Sequence, residues 1–101
     1  MATVTSKVFA RTAAATSSTT LYTVPSATTA VITDIFVTNT ATTQATFTLS
    51  LDGVIILSAN SINPNSSVSI TMKQVLATTK ILAGLASATS VNFHISGVEI
   101  V

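Results

Sequence analysis

The chain has 101 residues, of which 7% are charged, with a net charge of +1 and no cysteine. This length predicts one domain, residues 1–101, and the lack of cysteine excludes disulfides and thiolate metal sites. The near-neutral charge lacks the clustered Lys and Arg typical of nucleic-acid binding. The longest aliphatic run, Val54 to Leu57, is far shorter than the roughly 20 residues that span a bilayer, and the N-terminus lacks the apolar segment of a secretory signal. We therefore expect a soluble chain made in the cytoplasm, with no nucleic-acid or membrane partner.

Ser and Thr supply most of the polarity and make up about a third of the chain. Ordinary soluble domains instead carry roughly 25% charged residues. A surface of hydroxyls and methyls with a net charge near zero is poorly protected against self-association. This composition favours a protein that meets a partner or belongs to an assembly, and a neutral monomer is the alternative.

Residues 1–11 alternate between two sets of side chains and predict a strand that places Lys7 and Arg11 on one side. The two charges are consistent with an edge strand that resists unwanted pairing. The alternative is that residues 1–18 form an arm that lies on a neighbouring chain. Small and hydroxyl side chains over residues 13–18 predict a loop.

Two β-rich runs around Pro25 form the centre of the predicted fold. Thr19 to Val24 reads as a strand that ends at Pro25, because proline has no amide hydrogen for a sheet ladder. Val31 to Asn39 reads as the next strand. Alternation along this strand places Val31, Ile35 and Val37 on one face and Ile32 and Phe36 on the other. We therefore expect it to be covered on both faces at the centre of a β-sandwich.

The middle of the chain predicts a hairpin. After a turn at residues 39–43, Ala45 to Leu51 alternates with Phe47, Leu49 and Leu51 directed inward. Asp52-Gly53 then precedes Val54 to Ser58, and this dipeptide is typical of a two-residue type I′ turn, which needs positive φ at both positions.

The next segments have weaker patterns. Residues 60–66 predict a turn because of Pro64 and its polar neighbours, and Ser67 to Met72 predicts a strand that buries Val68, Ile70 and Met72. Residues 73–82 fit a bend followed by a short strand over residues 80–83, with a short helix as the competing interpretation. Residues 84–90 predict a connection in which Leu85 points inward.

The last strand changes phase. Val91, Phe93 and Ile95 share one phase, and Val98 and Ile100 share the other, with Gly97 at the change. One extra residue would keep both sets on the core side, so the pattern predicts a β-bulge at Gly97. The complete pattern predicts an all-β fold: an antiparallel, jelly-roll-like β-sandwich of about eight short strands.

No group of residues predicts a catalytic, cofactor or metal site. His94 falls on the outward phase, and a general base would need a nucleophile and a carboxylate within reach. Of the three acids, Asp52 is explained by its turn and Glu99 falls on the outward phase. Asp34 is more simply explained by a contact with a neighbouring chain or a hydrogen bond at the sheet margin. Tyr22 is expected to anchor the corner near Pro25, and Phe9, Phe36, Phe47 and Phe93 are core candidates.

Several segments together carry a family resemblance: Ser6-Lys7-Val8, Leu21 to Pro25, Thr38-Asn39-Thr40, and Val91 to Glu99. With them the chain resembles the small all-β virion structural proteins of tailed bacteriophages along nearly its whole length. It departs from them at Thr79-Lys80, where such proteins often have a Gly-Asp turn.

The resemblance implies a capsid decoration (cement) protein that binds the outside of the shell as a homo-oligomer and stabilises it. Its partners would be other copies of itself and the major capsid protein or other virion proteins, and its place would be the virion. It implies no catalytic residue and no cofactor. A tail, neck, baseplate or fibre component is the alternative, and a receptor- or carbohydrate-binding module is a third.

Overall fold

A computed structural model describes residues 3–101, which form eight strands and no helix. The strands pair only antiparallel, in two four-stranded sheets ordered β1-β8-β3-β6 and β2-β7-β4-β5. The strand bounds are β1 Val4–Ala13, β2 Thr19–Thr23, β3 Thr29–Asn39, β4 Ala45–Leu51, β5 Val54–Ile62, β6 Ser66–Leu76, β7 Ile81–Ala86 and β8 Val91–Ile100.

Successive strands alternate between the two sheets except at the β4–β5 hairpin, and this order is that of a jelly roll. The core lies between the sheets and is built from aliphatic and aromatic side chains, with Phe47 of one sheet packed edge-on against Phe93 of the other at 6.1 Å between ring centroids. The predicted antiparallel sandwich is therefore confirmed.

The β4–β5 hairpin has the predicted geometry. Asp52 and Gly53 both have positive φ, at 53° and 77°, as a type I′ turn requires. Phe47, Leu49 and Leu51 are buried, so the alternation in β4 identified the inward face correctly.

The prediction that β3 is covered on both faces is wrong, because the strand contains a bulge. Between Ile32 and Asp34 the strand advances two residues while β8 advances one, so Thr33 is an extra residue relative to β8. The pairing with β6 shifts at the same place, but there the extra residue belongs to β6, which advances three residues from Gln74 to Thr71. Ile32 before the bulge and Ile35 after it are both buried, and Phe36 turns outward with 41% of its surface exposed. One face of β3 therefore packs in the core, and Phe36 is not a core residue.

The predicted bulge at Gly97 is also wrong, because the neighbouring strands bulge instead. The pairing of β1 with β8 shifts between Val8 and Ala10, and that of β3 with β8 shifts between Ile32 and Asp34. Both irregularities lie beside Ser96 and Gly97, while β8 itself keeps its alternation. Gly97 therefore points inward, where an added Cβ would lie 2.7 Å from Cε2 of Phe9.

Several strands begin or end at residues other than those predicted. Strand β5 continues to Ile62 beyond its predicted end at Ser58, and β6 continues to Leu76 with no helix after it. Strand β7 includes residues 84–86, where a connection was predicted. In β7 the inward position belongs to Gly84, whose added Cβ would meet Leu49 and Phe93, so Leu85 faces away from the core.

Residues 77–80 form the turn at the departure from the resembling proteins. Thr79 has a φ of 67°, a value that favours glycine. The amide of Thr79 donates to the carbonyl of Val24 at 3.0 Å, and the Thr78 hydroxyl donates to the carbonyl of Pro25 at 2.7 Å. The corner at Pro25 is thus held by backbone and hydroxyl contacts from this turn.

The N-terminal segment is a strand over the residues described. β1 pairs with β8 from Val4 to Ala13, so this part of the predicted strand is confirmed and lies along the chain's own sheet. The prediction that Lys7 and Arg11 share one side is wrong, because the register shifts between Val8 and Ala10. Lys7 therefore pairs with the inward Gly97, and Arg11 pairs with the outward His94. The first two residues of the predicted strand lie outside the described range.

Candidate interaction surface

The structure places His94 and Asp34 on the outer face of the β1-β8-β3-β6 sheet without a hydrogen bond between them. The His94 ring lies edge-on to Phe36, with 6.2 Å between ring centroids. Asp34 is exposed and accepts a hydrogen bond from the neighbouring Thr33 hydroxyl at 3.3 Å. The strand register pairs Asp34 with Ser96 and His94 with Phe36. In this arrangement His94 has an aromatic neighbour rather than an orienting carboxylate.

The other two acids have structural partners. Asp52 lies 3.7 Å from Nζ of Lys80, an exposed pair that contributes little to stability. Glu99 does not face outward as predicted, because without a bulge in β8 it keeps the inward phase of Gly97. Its carboxylate accepts a hydrogen bond from the Tyr22 hydroxyl of the opposite sheet.

Tyr22 joins the two sheets at this end of the sandwich. The centroid of its ring lies 4.4 Å from that of the Phe9 ring, and the two ring planes are tilted by 38°. Burial, and next the hydrogen bond and negative charge of Glu99, raise the pKa of the Tyr22 phenol. Tyr22 is therefore a half-buried structural residue, as predicted, and not an exposed aromatic available for sugar stacking. Its contacts are with Phe9 and Glu99, whereas the turn at residues 77–80 holds the corner at Pro25.

The outer face of the β1-β8-β3-β6 sheet carries an aliphatic patch at one end. Val31 pairs with both Val75 and Val98, and Ile100 pairs with Val4, so these side chains form adjoining rows on one face. Val4 and Val75 are 62% and 67% exposed. We define the aliphatic patch as Val4, Val8, Val31, Val75, Val98 and Ile100. None of its members is charged, and they come from all four strands.

The other sheet has a different outer face. Strand β4 presents Thr46, Thr48 and Ser50 outward, between its buried apolar residues. The Thr48 hydroxyl accepts a hydrogen bond from the amide of Ala59 at 3.0 Å. One sheet of the sandwich is therefore aliphatic on part of its outer face, and β4, one of the two inner strands of the other sheet, presents hydroxyls there.

A buried asparagine organises the loops at one end of the sandwich. Asn39 is 2% exposed, and its Nδ2 donates to the carbonyl of Thr43 at 2.8 Å, with Ile62 at 3.3 Å also within reach. Its Oδ1 accepts from the amide of Ala41 and from the hydroxyl of Ser90, both at 3.1 Å. Asn39 thus links the β3–β4, β5–β6 and β7–β8 connections.

The sequence predicts Asn39 only as the end of a strand, before a turn. A signal was available, because Asn39 continues the inward alternation of Ile35 and Val37, and a polar residue on a core phase must find hydrogen-bond partners. Next to it lies a surface cavity of about 340 Å³ lined only by uncharged polar residues: Thr38, Asn39, Thr40, Asn65, Ser66 and Ser67.

Over residues 3–101, no cluster of three or more His, Asp or Glu side chains is arranged to hold a metal ion. The same part of the chain contains no helix long and apolar enough to cross a membrane. Comparison with models of known families and with curated proteins finds no match to this chain. The outer face of the β1-β8-β3-β6 sheet is the feature that most favours binding.

Proposed function

We propose that this chain is a structural protein of a tailed-bacteriophage virion, a decoration protein that binds the outside of the shell as a homo-oligomer and stabilises it. The observation that carries the proposal is the number of large apolar side chains on the outside of an almost uncharged jelly roll. The exposed ones are Val4, Val8, Phe36, Val54, Ile55, Val75 and Val101.

These exposed side chains favour an assembled state over an isolated monomer. Interface centres are depleted in charge and retain apolar groups, and a small soluble domain normally separates such groups with Lys, Glu and Asp. Many identical contacts in a symmetric array also give strong attachment from individually weak contacts. A neutral chain with apolar side chains on several sides suits that arrangement.

The phage assignment comes from the sequence resemblance, and the jelly roll agrees with it because this architecture recurs in viral capsid domains. The same architecture also occurs in lectins, so the fold alone does not select a function. The virion role therefore depends on the segments that carry the resemblance together with the exposed apolar surface.

Imaging particles made with and without the chain tests the role. A decoration protein is expected in hundreds of copies on the outer shell, and shells without it are expected to lose resistance to heat and osmotic shock. Shells of unchanged resistance that lack tails or fibres would reject the decoration role. Together with a single ring of copies at the tail, that result would establish the alternative of a tail, neck, baseplate or fibre component.

A further inference from the structure

The aliphatic patch is a continuous apolar surface that no contact within the described residues covers. Its members pack beside one another on the outer face, and Val75 and Val4 keep more than half of their surface exposed. Nothing in residues 3–101 covers this face, because the core side chains of both sheets lie between the sheets, on the opposite side. Exposed apolar surfaces of this kind mark interaction sites.

We propose that a second copy of this chain covers the outer face of the β1-β8-β3-β6 sheet, in a twofold dimer whose axis runs parallel to the strands between β8 and β3. The inference deepens the proposed function, because it names the surface and the partner of one contact in the assembly. The choice of partner rests on area, on the position of the patch and on charge.

The area of the face reaches the lower limit of what a specific dimer buries. Four strands spaced about 4.8 Å apart, with ten residues rising about 3.3 Å each, give a face of roughly 600 Å² before side-chain relief is added. A standard interface uses about 800 Å² per partner. The aliphatic patch occupies about half of the face, so the dimer requires nearly all of it and should exchange readily in dilute solution.

The position of the patch selects the axis. A twofold axis between β8 and β3, the two inner strands, places β1 over β6 and β8 over β3, so the whole face of one copy covers that of the other. Val98 of one copy then lies over Val31 of the second. An axis across the strands would instead lay the aliphatic patch over the end that carries Arg11 and His94. The strand-parallel axis also keeps the sheets within the roughly 30° of aligned packing.

The charges on this face do not oppose the dimer. In the proposed register, Asp34 of one copy lies over Ser96 of the second, since these residues are neighbours across the axis. Arg11 lies over Ser69, because both share a row with Phe36 and His94. Lys73, on the outward phase of β6 between Thr71 and Val75, lies at the edge of the face over Ser6 and Val8 of the second copy. No like charges meet, and the aliphatic rows exclude water around the axis.

The chain offers a matched pair of variants for the test. Val75 and Val54 are both valines on strands at the edge of their sheets, with exposures of 67% and 66%, but only Val75 belongs to the aliphatic patch. Sedimentation of the purified full chain over a range of concentrations should give a monomer–dimer equilibrium. Val75→Lys is expected to raise its dissociation constant about tenfold or more, since each copy loses an apolar contact, and Val54→Lys should leave it unchanged. Cooperative melting of both variants, with equal midpoints at concentrations where the wild type is monomeric, would show that both fold.

A single-cysteine variant tests the geometry, since the chain has no cysteine of its own. Val98→Cys should crosslink with a short bis-maleimide, whose reach suits the roughly 10 Å between packed sheets. Ser50→Cys, on the outer face of the other sheet, should not. Crosslinking of Ser50→Cys alone, or equal dimer loss in Val75→Lys and Val54→Lys, would overturn the proposal.

The outcomes also separate this inference from the proposed function. A dimer with the expected variant effects that never attaches to particles would refute the decoration role and leave the dimer standing. A chain that remains monomeric at the highest concentration, but loses particle attachment in Val75→Lys, would overturn the dimer and assign the patch to the shell.

Discussion

Gly97 lies on β8 between the bulges of β1 and β3, and replacing it with alanine tests the bulge arrangement directly. An added Cβ would overlap the carbonyl oxygen of Val31, and it would lie 3.0 Å from the carbonyl carbon of Val31 and 2.7 Å from Cε2 of Phe9. The first two atoms belong to the backbone of β3, which is fixed by hydrogen bonds on both sides. The methyl group therefore fits only if β3 and β8 move apart.

The cost follows from this geometry. Overpacking a well-filled core costs about 1–3 kcal/mol and more where the backbone must move, so we expect Gly97→Ala to lower the free energy of unfolding by about 3 kcal/mol or more. Reduced freedom of the unfolded chain offsets only about 0.4–1 kcal/mol of the gross cost. At about 4–8 °C per kcal/mol for a domain near this size, the melting temperature should fall by roughly 12–24 °C.

Gly84→Ala is the matched control, because Gly84 is also an inward-facing glycine of a strand with another strand on each side. Its added Cβ would meet the ends of side chains, with Cδ2 of Leu49 at 2.6 Å and Cδ1 of Leu21 at 3.2 Å, and these can move. Thermal and urea unfolding of both variants measures the difference. Equal losses of stability, or a smaller loss for Gly97→Ala, would refute the assignment of the bulges to β1 and β3.

Three further predictions concern single residues. Asn39→Ala should lower the free energy of unfolding by about 3 kcal/mol, because it removes hydrogen bonds to three loops and leaves buried groups unpaired; a loss below about 1 kcal/mol in urea unfolding would contradict the linking role. Thr79→Gly should raise it by about 0.5–1 kcal/mol, because left-handed backbone costs a residue with a Cβ about 1–2 kcal/mol, more than the added freedom of glycine in the unfolded chain; a lower melting temperature would contradict this. The free energy of unfolding of the wild type should fall above about pH 10, the usual pKa of tyrosine. Above that pH the Tyr22 phenol loses its proton in the unfolded chain, but it keeps the proton in the folded chain because its pKa is raised there. Tyr22→Phe has no phenol to titrate, so its free energy of unfolding should not show this fall. If the free energies of unfolding of the two proteins stay parallel from about pH 8 to pH 11.5, the role of Glu99 is contradicted.

The sequence predicted the elements that depend on one strand and its turn. Alternation in β4 identified Phe47 and Leu49 as core residues, and Asp52-Gly53 identified the hairpin, because each signal is local. The bulge at Gly97 was predicted because an apolar phase change has two causes, an extra residue or a switch of the apolar side chains to the outer face, and the sequence of one strand does not separate them. In β8 the second cause applies, since Val98 and Ile100 lie on the outer face. Phe36 was assigned to the core because the extra residue Thr33 reverses the phase of β3 and leaves no local signal.

The sequence predicted that the protein has an interaction surface, but not which residues form it. Low charge and abundant hydroxyls indicated an interaction protein, but the aliphatic patch gathers Val4, Val31, Val75 and Ile100 from distant parts of the chain. Only the strand order brings them together. The inward phase of Asn39 showed that it needs hydrogen-bond partners, but the sequence did not identify them, because they are mostly carbonyls and amides of loops.

The position of β1 has a consequence for how the protein reaches its folded state. Among the described residues β1 pairs only with β8, and Val4 is paired with Ile100. During synthesis β1 therefore emerges before its partner strand is made, and it stays unpaired until β8 has left the ribosome. Pairings this distant along the chain form slowly and leave strand edges open to other chains. With so few charges to keep nascent chains apart, we expect yield in the cell to depend strongly on temperature and expression rate.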